Sequence, residues 1–324
     1  MRYEINWQNA VLRATLDLAP DIRQFEIVPE DGLVQNFAAG SHINVSILID
    51  GRPEYRSYSL ISEKGEDCYR IAVKNQAQGR GGSANMWSLE KGARLSVSQP
   101  HNLFGLEFGR PDYLLIAGGI GITPLLGMAT ALDGAGATLR FLYASRTRGD
   151  AIFADELVKR FGHRFELFVS QEGVRVDIKA EIAKLAKGGQ LYICGPVPLL
   201  DEARAAWAEA GRPATDLRFE TFGSGGHFAP VGFQIKIPRL GLAIEVGQHQ
   251  SMLEALTRAG VEVLSDCKRG ECGLCAHDII GGSGEIDHRD VFLSDTEKHA
   301  NHKICVCVSR VVNGDIVLET AYRP

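Results

Sequence analysis

Positive charge is in short supply in these 324 residues: 35 Lys and Arg face 40 Asp and Glu, a formal charge of −5. With no basic surplus to neutralise phosphates, a general nucleic-acid binder is excluded. The opening residues, Met1 to Asn6, are polar and lack the apolar core of a signal peptide, so a cytoplasmic location is expected. No internal repeat and no low-complexity run is present. Long apolar runs are also scarce. The stretch Tyr113 to Leu132 has twenty residues without a charge, enough to suggest a membrane span. Four glycines, a proline and two threonines interrupt it, however, with Gly and Pro clustered at its centre. A strand, a tight turn and a helix explain it better, and no membrane contact is expected.

Cysteine is present in an odd number, seven, which speaks against a complete disulfide framework. Cys68 and Cys194 stand alone. Cys267, Cys272, Cys275, Cys305 and Cys307 crowd into the last sixty residues. In a reducing compartment such thiols are more often metal ligands or catalysts than disulfides.

What is there is an ordinary globular composition, 45% apolar and 23% charged, in a chain long enough for two or three domains. Up to about residue 106, short β runs such as 43–49, 69–73 and 95–97 alternate with turn residues, as in an antiparallel barrel or sandwich. A short helix is expected at Ser83 to Leu89, capped by Ser83. From about Asp112, apolar strands at 113–117, 138–144, 165–169 and 190–194 alternate with helical patterns at 124–132, 153–161, 177–186 and 198–210. That is the signature of βαβ units on a parallel sheet. The Gly-rich segment from Phe222 to Pro230 reads as a linker. A third unit follows, with strands at 233–237 and 242–246, a helix near 251–259 and the cysteine-rich loop.

Cys267-x4-Cys272-x2-Cys275, then twenty-nine residues, then Cys305, is the strongest motif. Spacings of four and two wrap three sulfurs around a two-iron cluster, and a distant strand brings the fourth. Gly270 and Gly273 let the backbone pass close, where N–H groups can bond the sulfurs. Structural zinc is the alternative, though it commonly uses two short C-x2-C pairs; unliganded buried thiols are a second. The twenty-nine-residue interval favours Cys305 as the ligand. Cys307, two residues on and on the same face of one strand, is expected to be a buried bystander.

After the strand Leu114-Leu115-Ile116-Ala117 comes Gly118-Gly119-Ile120-Gly121-Ile122-Thr123-Pro124, and a helix begins at once. Glycines after a strand let backbone approach a pyrophosphate at the helix start, and Pro124 suits the first turn. The glycine order is not that of the Rossmann fingerprint, and a plain crossover turn would look similar. Two features add weight to the phosphate reading. Cys194-Gly195-Pro196 ends another strand of the same sheet, where open α/β sheets bind ligands. Ser145-Arg146 ends a third, placed for the ribose end of a nicotinamide cofactor.

In the β-rich part, Arg56-Ser57-Tyr58-Ser59-Leu60 puts a cation, an aromatic face and hydroxyls on one strand, with Arg56 and Tyr58 on one side of it. Gly79-Arg80-Gly81-Gly82-Ser83 enters the short helix as a phosphate nest. Either feature alone would pass for an ordinary strand or turn.

Together these motifs, with Phe219 to Gly223 and Asp287-His288-Arg289-Asp290, resemble the phthalate dioxygenase reductase type within the ferredoxin–NADP reductase superfamily. The cysteine region resembles a plant-type [2Fe–2S] ferredoxin. The resemblance implies an FMN-binding antiparallel β-barrel domain (1–106) and an NAD-binding α/β parallel-sheet domain (107–222). A linker (223–231) would lead to an α+β, β-grasp ferredoxin domain (232–324). It implies that Arg56 and Ser83 hold the FMN phosphate, with Arg80, Gly81 and Gly82 shaping the nest. Tyr58 would lie against the isoalloxazine, and Ser57, Ala72 and Lys74 would complete the contacts. The glycine turn (Gly118, Gly119, Gly121, Ile122, Thr123, Pro124) would receive the dinucleotide together with Ser145, Arg146, Cys194, Gly195 and Pro196. Ser59 near the flavin N5, Phe222 over the ring and Cys194 are the expected catalytic positions. NADH is favoured, with Arg146 leaving NADPH open.

The implied activity is electron transfer from NADH through FMN and the [2Fe–2S] cluster to a Rieske-type oxygenase component of a bacterial aromatic hydroxylase or demethylase, by a transient contact. A stand-alone flavin reductase or diaphorase, a reductase for another acceptor, and a zinc-bound interaction module are the alternatives. Asp287 to Asp290 is expected to be a solvated turn or a structural ion-pair network with no catalytic role. From Val231 onward thirteen acids face ten bases. Asp266, Glu271, Asp278, Glu285, Asp287 and Asp290 are expected to ring the cluster and steer a basic partner.

Overall fold

Six antiparallel strands form the first sheet: β1 (Trp7–Ala19), β2 (Ile22–Pro29), β3 (His42–Ile49), β4 (Arg52–Ser59), β5 (Tyr69–Lys74) and β6 (Arg94–Ser98). Their order is β4-β3-β6-β1-β2-β5. A bridge from Leu60, just past β4, to Ile71 of β5 joins the two edges, closing the sheet into a barrel. Period-two alternation turns Ile43, Val45 and Ile47 of β3, and Ile71 and Val73 of β5, into the barrel core. The structure, a computed structural model, describes residues 6–49, 51–63, 65–76, 81–222, 226 and 228–319.

The short helix α1 (Gly82–Trp87) lies between β5 and β6 and starts one residue earlier than its composition suggests. Gly81, at φ +79°, occupies the capping position with no side-chain cap, a conformation that suits glycine. The Ser83 hydroxyl instead accepts the Gln76 N–H at 3.0 Å, so it is engaged just past β5 and does not cap the helix.

The second sheet is parallel, built from β7 (Tyr113–Gly118), β8 (Leu139–Ser145), β9 (Phe165–Val169), β10 (Gln190–Cys194) and β11 (Leu217–Glu220). It alternates with α2 (Ile122–Gly134), α3 (Ala154–Phe161), α4 (Ile178–Lys184) and α5 (Val197–Glu209). The order is β11-β10-β7-β8-β9, so the winding reverses at β7. All six residues of β7 are buried, as expected of a central strand covered on both faces. The charge-free stretch from Tyr113 is therefore β7, a turn of 3₁₀ helix and most of α2. Among the described residues no helix is long and apolar enough to cross a membrane.

The third sheet has the order β13-β12-β18-β14-β16, from β12 (Phe233–Ile237), β13 (Leu242–Val246), β14 (Ala276–Gly282), β16 (Lys303–Cys305) and β18 (Asp315–Glu319). Helix α6 (Met252–Arg258) packs on it, starting from a Ser251/Glu254 capping box. A two-stranded ribbon, β15 (Glu285–Asp287) with β17 (Arg310–Val312), and the short helix α7 (Asp295–Ala300) complete this α+β unit. The chain divides into two compact units. One comprises 1–195 with 199–220 and holds both the barrel and the parallel sheet; the other comprises 196–198 with 221–324.

Candidate functional site

On the barrel, the β3–β4 register sets Val45 opposite Arg56, Asn44 opposite Ser57 and Ile43 opposite Tyr58. Tyr58 packs against the barrel core, and burial raises its hydroxyl pKa, so it stays a proton donor. Arg56 lies across the start of α1: a Cβ at Gly82 would fall 2.8 Å from its Nε. Gly82 is therefore glycine to leave the guanidinium its place. Arg56 Nη1 donates to Glu54 Oε2 (2.7 Å) and to the Tyr55 carbonyl (3.0 Å). Ser83 sits in the first turn of α1, so the structure brings Arg56, Gly81, Gly82 and Ser83 to one end of that helix. The Ser57 hydroxyl donates to Asn44 Oδ1 at 2.6 Å. Lys74 pairs with Asp21 at 3.2 Å, while Ala72 is buried between the core positions Ile71 and Val73. Gly79 and Arg80 lie outside the described residues.

At the C-terminal end of the parallel sheet, close approach explains the glycines. A Cβ on Gly121 would stand 2.3 Å from the Cys194 carbonyl oxygen, and one on Gly195 would stand 3.0 Å from Gly118 Cα. The turn after β7 and the end of β10 thus meet backbone to backbone, at the point where strand order reverses and open sheets bind ligands. Ile122 and Pro124 are buried in the first turn of α2. Thr123 is buried too, its hydroxyl donating to the Ile120 carbonyl at 3.0 Å. Cys194 is buried at this crossing. Ser145 closes β8 with its hydroxyl on the Thr147 carbonyl (2.9 Å), and Arg146 beside it is exposed. Pro196 precedes α5. A separate cavity of about 410 Å³, reached by Leu60 and Ile61 of the barrel and by Gly127 and Leu157 of the helices, is lined by none of the expected cofactor-binding or catalytic residues.

The thiol loop is built around Cys267. Its Sγ accepts three backbone N–H groups, from Arg269, Glu271 and Cys272, each at 3.4 Å. This arrangement stabilises sulfur anions, which is what iron ligation requires. Burial raises the Cys267 thiol, and these three N–H groups oppose it. Lys268 (φ +51°), Gly270 (φ +78°) and Gly273 (φ +72°) curl the loop. The glycines also give way to neighbours. A Cβ at Gly270 would meet Val308 and Asp290, and one at Gly273 would meet the Phe292 ring. The sulfurs do not close on one point: among the described residues, no three His, Cys, Asp or Glu side chains are drawn together as a single ion requires. Two bridged irons hold four sulfurs at wider spacing than one ion does.

The fourth sulfur is where the expectation changes. Strand β16 ends at Cys305, and Cys307 lies in the turn beyond it. The two therefore do not share a strand face. Both thiols lie against Cys275 and draw its thiol well below the ordinary value. Cys307, however, is also stabilised as an anion by the nearby Gly270 N–H in the middle of the loop, and both Cys267 and Cys275 act on it. Cys305 stands opposite Ala276 in the β14–β16 ladder, inside the core of this unit, with the Asp290 carboxylate acting on it. The loop reaches toward Cys307. The alternation argument that made it a bystander required a strand that has already ended.

Asp287 to Asp290 is not a solvated turn. All four residues are buried. Arg289 forks onto Asp287 at 2.6–2.7 Å and reaches the Phe228 carbonyl at 3.0 Å. Asp290 accepts from the Ser309 hydroxyl (3.1 Å) and the Leu293 N–H (2.9 Å), and the Val291 N–H reaches the Gly270 carbonyl at 2.9 Å. The structural ion-pair reading is the one the geometry supports, and it braces the thiol loop. Three of the six acids expected to ring the loop are thereby taken inward: Asp287 and Asp290 into this network, Glu271 onto Arg269 (3.1 Å) and the Thr221 N–H (3.1 Å). Asp266, Asp278 and Glu285 remain exposed. Sequence reasoning missed Glu54, whose i,i+2 spacing from Arg56 on one strand face was the available signal. It also missed the link from Glu271 to Thr221, for which fifty residues of separation gave none.

Residues 235–312 match the model of the 2Fe-2S iron-sulfur cluster binding domain. Over 308 residues the chain is 34% identical to the heme-dependent oxidative N-demethylase beta subunit of Ectopseudomonas mendocina, covering 94% of this chain and 96% of that one. Over 311 residues it is 34% identical to phthalate dioxygenase reductase of Burkholderia cepacia, covering 93% and 94%. The solved structure of a phthalate dioxygenase reductase superposes with a TM-score of 0.75 at 32% identity, over 97% of this chain and 98% of that one. With a glycine turn at the sheet crossing, an arginine over a glycine-started helix and a thiol loop in its last sixty residues, the chain belongs to the phthalate dioxygenase reductase family of iron–sulfur flavoproteins.

Proposed function

We propose that this chain takes two electrons from NADH, passes them through FMN to the [2Fe–2S] cluster, and exports them singly to a Rieske-type oxygenase component by a transient contact. The observation that carries it is the thiol loop, with three backbone N–H groups on one sulfur, in a chain that also holds the barrel and the parallel sheet. When bound, the flavin supplies the exchange between a two-electron hydride and one-electron carriers. This chain's residues bind and orient. Arg56 and Ser83 hold the phosphate, in a place Gly82 leaves open, and Arg80 and Gly81 complete its nest. Tyr58 presents a ring held by the barrel core, and Ser59 ends the same strand. Gly118 to Pro124, Ser145, Arg146 and Cys194 to Pro196 receive the dinucleotide, and Phe222 covers the flavin until it arrives.

Our reading of the cluster ligands is Cys267, Cys272, Cys275 and Cys307, with Cys305 serving the core. We assign 1–106 to FMN, 107–222 to NADH and 232–324 to the cluster, joined by 223–231, and place the protein in the cytoplasm, where thiols stay reduced. A stand-alone flavin reductase is not favoured, since it has no use for the third sheet. The test is anaerobic mixing of the purified protein with NADH. Bleaching of a flavin absorption band followed by bleaching of a broad red-brown envelope is expected. A colourless protein, or a cluster that NADH leaves oxidised, overturns the proposal.

A further inference from the structure

We propose that Glu271 is a positioning residue that latches the cluster loop to the Thr221–Phe222 segment, and that this latch sets the rate at which electrons reach the cluster. The inference rests on the NADH–FMN–cluster reading above. Glu271 lies between two cluster cysteines, and both of its ends are engaged. Its N–H donates to Cys267 Sγ at 3.4 Å. One carboxylate oxygen accepts the Thr221 N–H at 3.1 Å across fifty residues of sequence. The other pairs with Arg269 Nη2 at 3.1 Å.

None of this is a surface contact. The Arg269 and Glu271 side chains are 10% and 20% exposed, and Thr221 is 1% exposed. A hydrogen bond in such a buried setting is stronger than one in water, whether its acceptor is charged or neutral. Strand β11 ends at Glu220, so Thr221 is the first residue past the parallel ladder, and Phe222, the ring assigned to the flavin, comes next. A single residue therefore connects a cluster sulfur, through its backbone, to the amide beside Phe222, through its side chain. A carboxylate is not needed for iron ligation at this position, and the loop curvature comes from Lys268, Gly270 and Gly273. The reach of the Glu271 side chain answers a different need.

The experiment uses the full-length holoprotein, with NADH mixed in an anaerobic stopped-flow instrument, and compares the parent with Glu271→Ala and Glu271→Gln. Glu271→Gln keeps an oxygen to accept the Thr221 N–H but removes the charge. Positioning predicts that Glu271→Ala reduces its cluster about tenfold more slowly, the effect of losing one such bond on the latched population. Its flavin reduction and oxidised cluster spectrum should match the parent, and Glu271→Gln should recover most of the rate. A parental rate in Glu271→Ala overturns the proposal. So does Glu271→Gln slowed as much as Glu271→Ala, which would assign the effect to charge. If Glu271→Ala takes up no cluster, amide exchange at Thr221 decides: protection in the parent and in Glu271→Gln supports the latch, and fast exchange in the parent overturns it. A parent whose cluster NADH never reduces would fail the underlying reading instead, a result distinct from all of these.

Discussion

At the scale of single residues, the two cysteines near the end of the chain make opposite demands. The Gly270 N–H and two loop thiols act on Cys307; Cys305 is packed in a strand beside a buried carboxylate. A ligand gains from amide donors, whereas a second anion next to Asp290 is disfavoured. Cys307→Ser is therefore expected to lose the cluster, read as iron content and visible absorbance, while NADH still reduces the flavin. Cys305→Ser should keep its iron and lose only packing stability. The reverse pattern would restore Cys305 as the ligand. Arg56 and Ser83 offer a second test at this scale. Removing either hydrogen-bond partner of a charged phosphate costs about 1.5–3 kcal/mol, so Arg56→Ala and Ser83→Ala should each weaken FMN binding about 10- to 100-fold by equilibrium titration of the apoprotein. Unchanged affinity in both would place the phosphate elsewhere.

At the scale of elements, the meeting of the β7 turn with the end of β10 is held by absent side chains. A Cβ at Gly121 would collide with the Cys194 carbonyl, which is backbone and cannot swing aside. Gly121→Ala should cost about 1–3 kcal/mol of stability as overpacking does, visible as a lowered melting temperature. It should also slow flavin reduction by NADH, with FMN content retained. Elements of this kind were legible in the sequence. β12 and β13 fall where alternation puts them, and β7 with α2 explains the charge-free stretch without a membrane. Legibility failed where an element ended. Ser83 has the composition of a cap, but the αL turn at Gly81 takes that place and the hydroxyl turns to Gln76. The Cys305–Cys307 alternation held only while β16 lasted, and β16 stops at Cys305. The charges of Asp287 to Asp290 looked solvated because their partners, Ser309 and the Phe228 carbonyl, lie about twenty and sixty residues away.

At the scale of the whole molecule, the transient contact proposed with an oxygenase component would be formed by diffusion, and charge would govern how fast. The excess of thirteen acids over ten bases from Val231 onward suggested a full acidic ring, but burial of Asp287 and Asp290 and the engagement of Glu271 leave fewer carboxylates facing solvent. Exposed Asp278 has Lys303 3.9 Å away, which softens it further. Steering scales with net exposed charge and is screened over a Debye length of about 8 Å at 0.15 M salt. The rate of electron delivery to the oxygenase component should therefore fall only modestly, by less than about tenfold, between low salt and 0.15 M. Reduction of the cluster by NADH involves no diffusional encounter between charged proteins and should stay constant over the same range. Asp278→Asn combined with Glu285→Gln should flatten the salt dependence of delivery while leaving internal reduction untouched. A steep fall that survives this double substitution would show that the steering charge lies on another part of the chain, and a rate indifferent to salt in the parent would leave these acids as solubilising surface.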